Sequence, residues 1–471
     1  MNSDKNMFKN RNFSGKKVLV YSLGIEGQDL ARWFMRHGAE VTASDTRTEQ
    51  QLQSAGAYIP EGISQVFQGQ PLIAPDGFDL VATSQSILTT NKAIVRAKKI
   101  NVPVVSQMQL ALEICDADVI GITGSNGKST TTALAGFAAD AANIKTLTGG
   151  NLGGTLLERI EKLKKPAKAF LEISHTQLQY IKSSPHIVGI TNITANHLDQ
   201  FSWEDYVALK ISILKNQKSK DIAILNKDDL VTWKNKGTVK GNIHTTSLNE
   251  PITGNGSWIE NKKIFARFNG EAESIVDLSE IKLKGRHNLA NALMATSLAY
   301  SAQIPKEAIQ NALSNFPGLP HRLETVGTTK GVPWINDSIA TTPERTIAAL
   351  NSFTKPIILL LGGRGKNLPL KDLREQISKR CTSVICFGEI GKDFAQQLKN
   401  VVPIEIVSTL EEAVIKASQV VLANELILLA PAANSFDAYP NFEIRGEHYR
   451  QLVTDLNDFI PWSENGVSDG N

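Results

Sequence analysis

The chain has 471 residues, more than one ordinary core holds, so about three domains are expected at ~150 residues each. Its 50 Lys and Arg residues nearly balance 47 Asp and Glu residues, and the net charge of +3 gives no reason to expect nucleic acid or an anionic membrane as partner. Three widely spaced cysteines, a polar start and no apolar run of ~20 residues predict a reduced, soluble, cytoplasmic protein.

The first predicted elements form a strand–helix–strand unit. Strands are predicted at 17–21 and 40–45, with a helix between them that ends at Arg36. Asp45 ends the second strand, where a ribose-binding carboxylate often lies. Because Ser22 replaces the first glycine of the dinucleotide-binding fingerprint, the pattern favours a Rossmann-like fold that holds some nucleotide.

A glycine-rich loop follows the next predicted strand, at 118–120. Residues 121–130 read Gly-Ile-Thr-Gly-Ser-Asn-Gly-Lys-Ser-Thr and open onto a predicted helix. Such a loop aims backbone N–H groups at a polyphosphate, with Lys128 on the terminal phosphates and the Ser129 hydroxyl on Mg²⁺. Ile122 occupies the first glycine position, so this is a variant phosphate loop. The alternative is a tight turn in any α/β protein.

Further polar side chains follow in the middle of the chain. Glu172 ends a predicted strand, and His197 lies in a short polar turn. A carboxylate and an imidazole at strand ends near Ser129 suit one or two Mg²⁺ sites. Residue chemistry alone predicts that Lys210 is an exposed helix lysine.

The last third of the chain again alternates strands and helices, after Pro/Gly punctuation at 316–320. A small antiparallel patch is predicted within 245–284, and a disordered tail at 463–471. The predicted fold class is α/β with three domains, Rossmann-like, phosphate-loop and Rossmann-like, at 1–106, 107–318 and 319–471.

A set of short motifs resembles, in order, those of the Mur ligase family. They are residues 121–130, Gly149-Gly150-Asn151, Glu172-Ile173-Ser174, His197-Leu198-Asp199, residues 285–292, Leu319-Pro320-His321-Arg322 and Asn336-Asp337-Ser338. Matches spanning residues ~18 to ~450 make chance agreement improbable. The resemblance implies a UDP-binding N-terminal domain, a central ATPase and a C-terminal glutamate-binding domain. It also implies an ATP-dependent amide ligase of peptidoglycan precursor synthesis, and hence of cell wall biogenesis and division, that works through an acyl phosphate.

The resemblance also assigns roles to individual residues. The ATP site comprises Gly124, Ser125, Asn126, Gly127, Lys128, Ser129, Thr130, Asn288, Asn291, Arg322 and Asp337. The UDP-substrate site comprises Ile25, Glu26, Asp45, Thr46, Arg47, Asn151 and His197. The glutamate site comprises Thr341, Lys366, Ser435, Phe436 and Phe442. The metal ligands are Ser129, Glu172, His197 and a carbamylated Lys210, and the catalytic residues are Lys128, His197 and Lys210.

The resemblance leaves the acceptor amino acid open. Lys366 and Asn441-Phe442-Glu443 resemble members that add D-glutamate, but Ile339 stands where those members carry lysine. The run from Ile339 to Pro343 resembles members that add L-glutamate. D-glutamate is expected first and L-glutamate is the alternative.

The chain also departs from the resembled motifs at two other places. It reads Ser84-Gln85-Ser86-Ile87 in place of Ser-Pro-Gly-Ile, and His175-Thr176 in place of Ser-Phe.

Two other classes fit less well. A folylpolyglutamate synthase shares the last two domains but lacks an N-terminal unit like 18–47. A non-enzymatic nucleotide-binding module would carry the loop without the metal and acceptor residues. The expected partners are therefore the small molecules UDP-muramoyl-alanine, glutamate and ATP with Mg²⁺. The protein is expected to be a monomer.

Overall fold

The computed structural model describes residues 8–54, 57–151, 155–195, 201–268, 270–283, 285–365 and 370–462. The chain divides into two compact units, Met1–Pro317 and Gly318–Asn471. Within the described residues the first unit holds two β-sheets and the second holds one, each flanked by helices. The predicted α/β fold class is confirmed. The predicted disordered tail at 463–471 lies outside the described residues.

The described residues up to 114 form a parallel sheet. Its strands are β1 (Lys17–Tyr21), β2 (Glu40–Asp45), β3 (Gln65–Gln68), β4 (Leu80–Thr83) and β5 (Val104–Ser106). Its helices are α1 (Ile25–Arg36), α2 (Glu49–Ser54), α3 (Lys92–Lys99) and α4 (Gln107–Ile114). The order β3-β2-β1-β4-β5 reverses between β1 and β4, so the loops after these two strands flank a topological switch point. Nucleotides bind at such crevices.

A buried carboxylate ties this sheet to the next one in the same unit. Asp29 on α1 is 3% exposed, and its Oδ2 accepts hydrogen bonds from Gln107 Nε2 at 2.7 Å and from the N–H groups of Leu156 and Leu157 at 2.8 and 2.9 Å. Three donors compensate the buried charge. The contact fixes where the two sheets of the first unit meet.

The central sheet of the first unit carries the glycine-rich loop. Its strands are β6 (Asp116–Thr123), β7 (Thr146–Gly150), β8 (Lys164–Glu172), β9 (Ile187–Ile190), β10 (Ile222–Asn226), β11 (Asn242–Ser247), β12 (Gly256–Glu260), β13 (Lys263–Arg267) and β14 (Glu273–Asp277). Its helices are α5 (Lys128–Ala141), α6 (Leu157–Glu161), α7 (His175–Leu178), α8 (Trp203–Ile211), α9 (Leu230–Lys234), α10 (Arg286–Ser301) and α11 (Lys306–Asn315). The order is β14-β13-β12-β11-β10-β9-β6-β8-β7. The predicted antiparallel patch is confirmed for β12 to β14, whereas β11 pairs in parallel with β10 and β12.

The described part of the second unit forms a mixed sheet. Its strands are β15 (Glu324–Thr329), β16 (Val332–Asn336), β17 (Ile357–Gly362), β18 (Cys381–Phe387), β19 (Ile404–Ile406), β20 (Leu426–Leu429) and β21 (Phe459–Pro461). Its helices are α12 (Pro343–Leu350), α13 (Lys371–Arg380), α14 (Gly391–Gln397), α15 (Leu410–Val420) and α16 (Phe442–Thr454). The order is β19-β18-β17-β20-β16-β15-β21, and β15 runs antiparallel to both neighbours. The apolar runs of β17 and β20 are buried throughout, as expected of parallel strands covered on both faces.

Candidate active site

The glycine-rich loop needs glycine at two positions. It joins β6 to α5, and Gly124 and Gly127 have φ angles of 145° and 80°. A Cβ atom on Gly124 would lie 2.0 Å from Thr191 Oγ1, and one on Gly127 would lie 2.1 Å from Asn291 Oδ1. Both backbone conformation and crowding therefore exclude larger residues. The strand–loop–helix context predicted for a phosphate loop is present.

The segment after β9 holds this loop in shape. Ser125 N–H donates to Asn192 O at 2.8 Å, and Asn126 N–H donates to Asn192 Oδ1 at 3.0 Å. Ser125 Oγ donates to Thr194 O at 3.0 Å. Lys128 Nζ folds back onto Ser125 O at 2.8 Å, at the first residue of α5. The half-buried Ser129 and the buried Thr130 follow in the first helical turn, so the polar groups of the loop and helix start converge as a phosphate site requires.

Glu172 is a buried carboxylate beside the start of this loop. It ends β8, is 2% exposed, and pairs in register with Ile122 of β6. Its Oε1 accepts a hydrogen bond from Asn151 Nδ2 at 3.0 Å, while its buried Oε2 has no hydrogen-bond partner among the described residues. A buried ionised oxygen without a partner is costly. The site suits a cation at Oε2.

Lys210 is buried, which makes the prediction of an exposed helix lysine wrong. Its side chain on α8 is 1% exposed, and its Nζ donates to Thr123 Oγ1 at 3.3 Å. Burial lowers the Lys210 pKa well below its ordinary value, and the positive charge of Lys128 lowers it further, while Glu172 opposes the shift. Burial therefore makes the charged ammonium of Lys210 less favourable than it is in water. Local helical pattern could not reveal this, because the burial comes from the packing of α8 against the loop and β6.

Two asparagines of α10 lie next to the glycine-rich loop. Asn291 is 6% exposed, and its Nδ2 donates to Asn288 Oδ1 at 3.2 Å. The close approach of Asn291 to Gly127 brings the start of α10 against the loop. The structure therefore brings together the loop, Asn288 and Asn291, which the sequence assigned to one nucleotide.

Asp45 organises the loop after β1. Its Oδ2 accepts from Leu23 N–H at 2.6 Å and from an Arg47 guanidinium N–H at 2.7 Å, and its Oδ1 accepts from Arg47 N–H and Nε at 2.9 and 3.0 Å. Burial pushes the pKa of Asp45 upward, but the hydrogen bonds from Arg47 and Leu23 outweigh it and hold that pKa below its ordinary value. Ser22, at the position of the first glycine of the dinucleotide-binding fingerprint, has a left-handed φ of 69°. The exposed Thr46 lies between the two paired residues.

Glu26 lies across the crevice mouth, on the first turn of α1 beside the exposed Ile25. Its carboxylate accepts hydrogen bonds from Gln85 N–H at 2.7 Å, Gln85 Nε2 at 3.1 Å and Gln177 Nε2 at 3.1 Å. Burial raises the pKa of Glu26, and these hydrogen bonds oppose the rise. The sequence marked Gln85, which follows β4, only as a departure from a motif that the chain resembles. Its hydrogen bonds to Glu26 were not predicted.

The second unit holds the residues assigned to glutamate. Thr341 is half-buried, Ser435 is 2% exposed, Phe436 is 50% exposed and Phe442 begins α16. Lys366, predicted for the same pocket, lies outside the described residues, as does His197 of the predicted metal and substrate sites. Ile339, at the position that separates the two acceptor alternatives, is half-buried.

Asp337, assigned to ATP together with the half-buried Arg322, lies at the end of β16 in the second unit. Its Oδ1 accepts from Leu323 N–H at 3.1 Å. Burial raises the pKa of Asp337 to about 6, against the opposing effects of that hydrogen bond and of Arg322. A carboxyl group whose burial is offset so little by hydrogen bonds and positive charges is typical of a functional position.

The fold and these residues define an α/β nucleotide-binding protein with a phosphate loop beside a buried carboxylate. The Mur ligase middle domain matches residues 122–299, and the Mur ligase, glutamate ligase domain matches residues 321–433. A UDP-N-acetylmuramoylalanine–D-glutamate ligase from Clostridium botulinum is 35% identical over 450 residues, covering 94% of this chain and 97% of the relative. A protein of the same name from Clostridium acetobutylicum is 33% identical over 453 residues, with coverages of 94% and 97%. The chain belongs to the Mur ligase family.

Solved structures agree with the fold. UDP-N-acetylmuramate-alanine ligase MurC from Thermotoga maritima superposes with a TM-score of 0.57 at 18% identity, over 93% of this chain and 98% of that one. MurF from Acinetobacter baumannii gives a TM-score of 0.57 at 16% identity, over 94% and 92%. At these identities the likeness shows the fold alone. Within the described residues no helix is long and apolar enough to cross a membrane.

Proposed function

We propose that the protein is the ATP-dependent ligase that joins D-glutamate to UDP-N-acetylmuramoyl-L-alanine in peptidoglycan precursor synthesis. The observation that carries this proposal is the buried Oε2 of Glu172, which has no hydrogen-bond partner among the described residues. It lies next to a phosphate loop and to the buried Lys210, whose pKa is lowered by burial. The names of the relatives at 33 and 35% identity support the substrates. UDP-muramoyl-alanine, glutamate and ATP are the small-molecule partners.

The residues present fit Mg²⁺. Glu172 Oε2 is an unused hard oxygen ligand, and the Ser129 hydroxyl lies in the helix turn that follows the loop. Ser129 and Glu172 would hold one Mg²⁺ and His197 a second, and phosphate oxygens and waters would supply the remaining ligands. Bound there, Mg²⁺ would offset charge on the phosphoryl group during its transfer.

Phosphoryl transfer would convert the alanyl carboxylate into an acyl phosphate, with release of ADP. The glutamate amine would then attack the carbonyl carbon, and the tetrahedral intermediate would expel inorganic phosphate to leave an amide. Lys128, which already reaches back over the loop, would turn its ammonium to the terminal phosphates. The loop N–H groups and Thr130 would orient the nucleotide, with Asn288 and Asn291 on its adenine side and Arg322 and Asp337 as further contacts.

Lys210 is proposed to act as a carbamate. A neutral amine is the form that adds CO₂, and burial favours that form here. Addition of CO₂ to this amine forms an N–C bond, releases one proton to solvent and leaves an anionic oxygen ligand, whose charge attracts the Lys128 ammonium. The carbamate would then help to place the second Mg²⁺, with His197.

The UDP moiety is proposed to bind between the loops after β1 and β4. Asp45 is saturated by Leu23 and Arg47, so its proposed role is to shape the loop, leaving Thr46 and the remaining Arg47 donors for the ligand. Ile25 and Glu26 form the opposite wall. Asn151 would contact the muramoyl-alanine end, because it already contacts Glu172.

The acceptor pocket is proposed to comprise Thr341, Lys366, Ser435, Phe436 and Phe442. Hydroxyls and a cation suit the two carboxylates of glutamate. L-glutamate is the second candidate acceptor, because Ile339 supplies no cation where D-glutamate ligases carry lysine. The division into domains at 1–106, 107–318 and 319–471, a monomeric state and a cytoplasmic location, with neither nucleic acid nor membrane as partner, belong to the same proposal.

One assay tests the proposal. ADP release should require both UDP-N-acetylmuramoyl-L-alanine and an amino acid, with D- and L-glutamate compared at equal concentration. Faster turnover with D-glutamate supports the main proposal, and faster turnover with L-glutamate establishes the alternative acceptor. ADP release that depends on a folate substrate would indicate a folylpolyglutamate synthase, and nucleotide binding without any turnover would indicate a binding module.

A further inference from the structure

The side-chain amide of Gln85 lies at the centre of a polar cluster where the two sheets of the first unit meet. Its Nε2 donates to Glu26 Oε1 at 3.1 Å and to Asn151 Oδ1 at 3.2 Å. Its Oε1 accepts from Ser174 Oγ and from Thr176 Oγ1, both at 2.6 Å. A carboxamide has two N–H donors and two acceptor lone pairs, so every hydrogen-bonding position of Gln85 is used.

This arrangement fixes the orientation of the amide. Glu26 in its ionised form only accepts hydrogen bonds, so rotation of the amide by half a turn would set the Gln85 oxygen against the carboxylate. The backbone N–H of Gln85 also donates to Glu26, at 2.7 Å. The loop after β4 is thereby held to the first turn of α1, across the switch-point crevice.

Asn151 continues the chain of contacts toward the phosphate loop. Its Oδ1 accepts from Gln85, and its Nδ2 donates to Glu172 Oε1 at 3.0 Å. The terminal torsion of a glutamate side chain is otherwise broad. A hydrogen bond that holds Oε1 therefore also sets the direction of Oε2, the oxygen with no partner among the described residues.

We propose that Gln85 is a positioning residue that couples binding of the UDP substrate in the crevice to binding of the metal–nucleotide at Glu172. The path is Glu26, Gln85, Asn151 and Glu172, joined by direct hydrogen bonds. A ligand in the crevice would pack against both walls that Gln85 joins, so it would reduce the remaining motion of these walls and, through Gln85 and Asn151, of the Glu172 carboxylate. This inference rests on the proposed function of both sites.

The central residue of the link departs from the motifs that the chain resembles. Gln85 and Thr176 stand at two of the positions where the chain departs from the motifs it resembles, and these two side chains contact each other. The proline and phenylalanine of the resembled motifs carry no side-chain hydrogen-bonding group. Gln85 therefore adds a polar connection that the usual residues would not supply.

The test measures coupling at equilibrium, without turnover. Isothermal titration calorimetry gives the Kd of the Mg²⁺ complex of adenylyl imidodiphosphate, with and without saturating UDP-N-acetylmuramoyl-L-alanine. The substrate should tighten nucleotide binding to the wild type about fivefold or more. In Gln85→Met, which retains length and loses the amide, the factor should fall below about twofold, because the path to Glu172 is broken.

Gln179→Met is the matched control. Gln179 Oε1 accepts from Thr89 N–H and Oγ1 at 3.3 and 3.4 Å, and its Nε2 donates to Thr176 O at 3.3 Å, so it bridges the same two layers. Among the described residues it makes no direct hydrogen bond to Glu26, Gln85, Asn151 or Glu172. This variant should keep the wild-type coupling factor. If the Tm of Gln85→Met lies well below that of the wild type, the coupling factor is measured in Gln85→Asn instead. This variant keeps the amide but is one methylene too short to bridge Glu26 and Asn151, so its coupling factor should also fall.

The outcomes separate the two levels of the proposal. Failure of the wild type to bind either ligand would overturn the proposed function, and the inference with it. Binding of both ligands without coupling in the wild type, or equal coupling in the Gln85 and Gln179 variants, would overturn the inference and leave the proposed function standing.

Discussion

Replacement of Arg445 by methionine should destabilise the second unit and loosen its acceptor pocket. The side chain is fully buried at the start of α16. Its guanidinium donates to Ser338 Oγ and O at 3.0 and 2.9 Å, to Asn434 O at 3.1 Å, to Ala433 O at 3.2 Å and, more weakly, to Gly362 O at 3.5 Å. It thus joins three loops that follow β16, β17 and β20.

The expected loss follows from opposing effects. Four short charge-assisted hydrogen bonds at about 1.5 kcal/mol each contribute about 6 kcal/mol. Burial opposes them, since it lowers the pKa of Arg445 from its ordinary value to about 10, which corresponds to a cost of about 3 kcal/mol to the charged form. The net loss in Arg445→Met is about 3 kcal/mol, or a fall of roughly 6–12 °C in the Tm of a unit of this size.

Calorimetry of the full chain and steady-state kinetics would check this prediction together. The KM for glutamate should rise more than the KM for ATP, because Ser435, which is proposed for the acceptor pocket, directly follows Asn434, whose carbonyl oxygen accepts a hydrogen bond from Arg445. Arg450→Met on the same helix is the control, since half-buried Arg450 pairs with Glu324 and such a pair contributes about 1 kcal/mol or less. Equal Tm values and equal glutamate KM values in the two variants would refute the reasoning.

Three further substitutions test other groups. Lys128→Ala should abolish ligation at unchanged Tm, because it removes phosphate neutralisation at a half-buried helix start; near-normal turnover would contradict the phosphate-loop assignment. Lys210→Ala should lose most activity under limiting Mg²⁺, and formate or acetate should restore part of it; full activity would exclude a carbamate role. Burial raises the Asp337 pKa to about 6, so its ionised form costs stability above that pH and none below about pH 4. Asp337→Asn should therefore raise the Tm at pH 8 and leave it unchanged at pH 4, and equal Tm values at pH 8 would count against this pKa.

The sequence predicted the elements that local pattern determines. The apolar runs predicted as strands are strands in the structure, at β1, β9, β10, β17 and β20. A short continuous apolar run identifies a strand covered on both faces from the local sequence alone, whichever strand it pairs with. The antiparallel placement of β15 and β21 escaped prediction. Pairing across more than a hundred residues depends on which edge of the sheet is free, and no local pattern records that.

Candidate site residues could be proposed from the sequence where a motif carries them, but not where a contact between distant parts of the chain defines them. Lys128 and Glu172 follow from spacing and strand ends. Residue chemistry alone predicted an exposed Lys210, whereas the resemblance assigned it to the metal site; its burial beside Thr123 of β6 was not visible in the helical pattern. Gln85 and Arg445 act through contacts 66 and 107 residues away, to Asn151 and Ser338, so only the folded chain reveals what they join.

The buried carboxylates of this protein differ in how fully their charge is compensated. Asp45 accepts four hydrogen bonds, and its pKa lies below the ordinary value, so its charge is fully used in holding a loop. Asp337 and Glu172 are as deeply buried, yet Asp337 has a pKa of about 6 and Glu172 has an oxygen without a partner among the described residues. Such groups destabilise the ligand-free fold and are stabilised when a cation or a donor arrives. The under-compensated carboxylates are the ones assigned to ATP and Mg²⁺, so nucleotide binding should stabilise the fold beyond the effect of its own contacts.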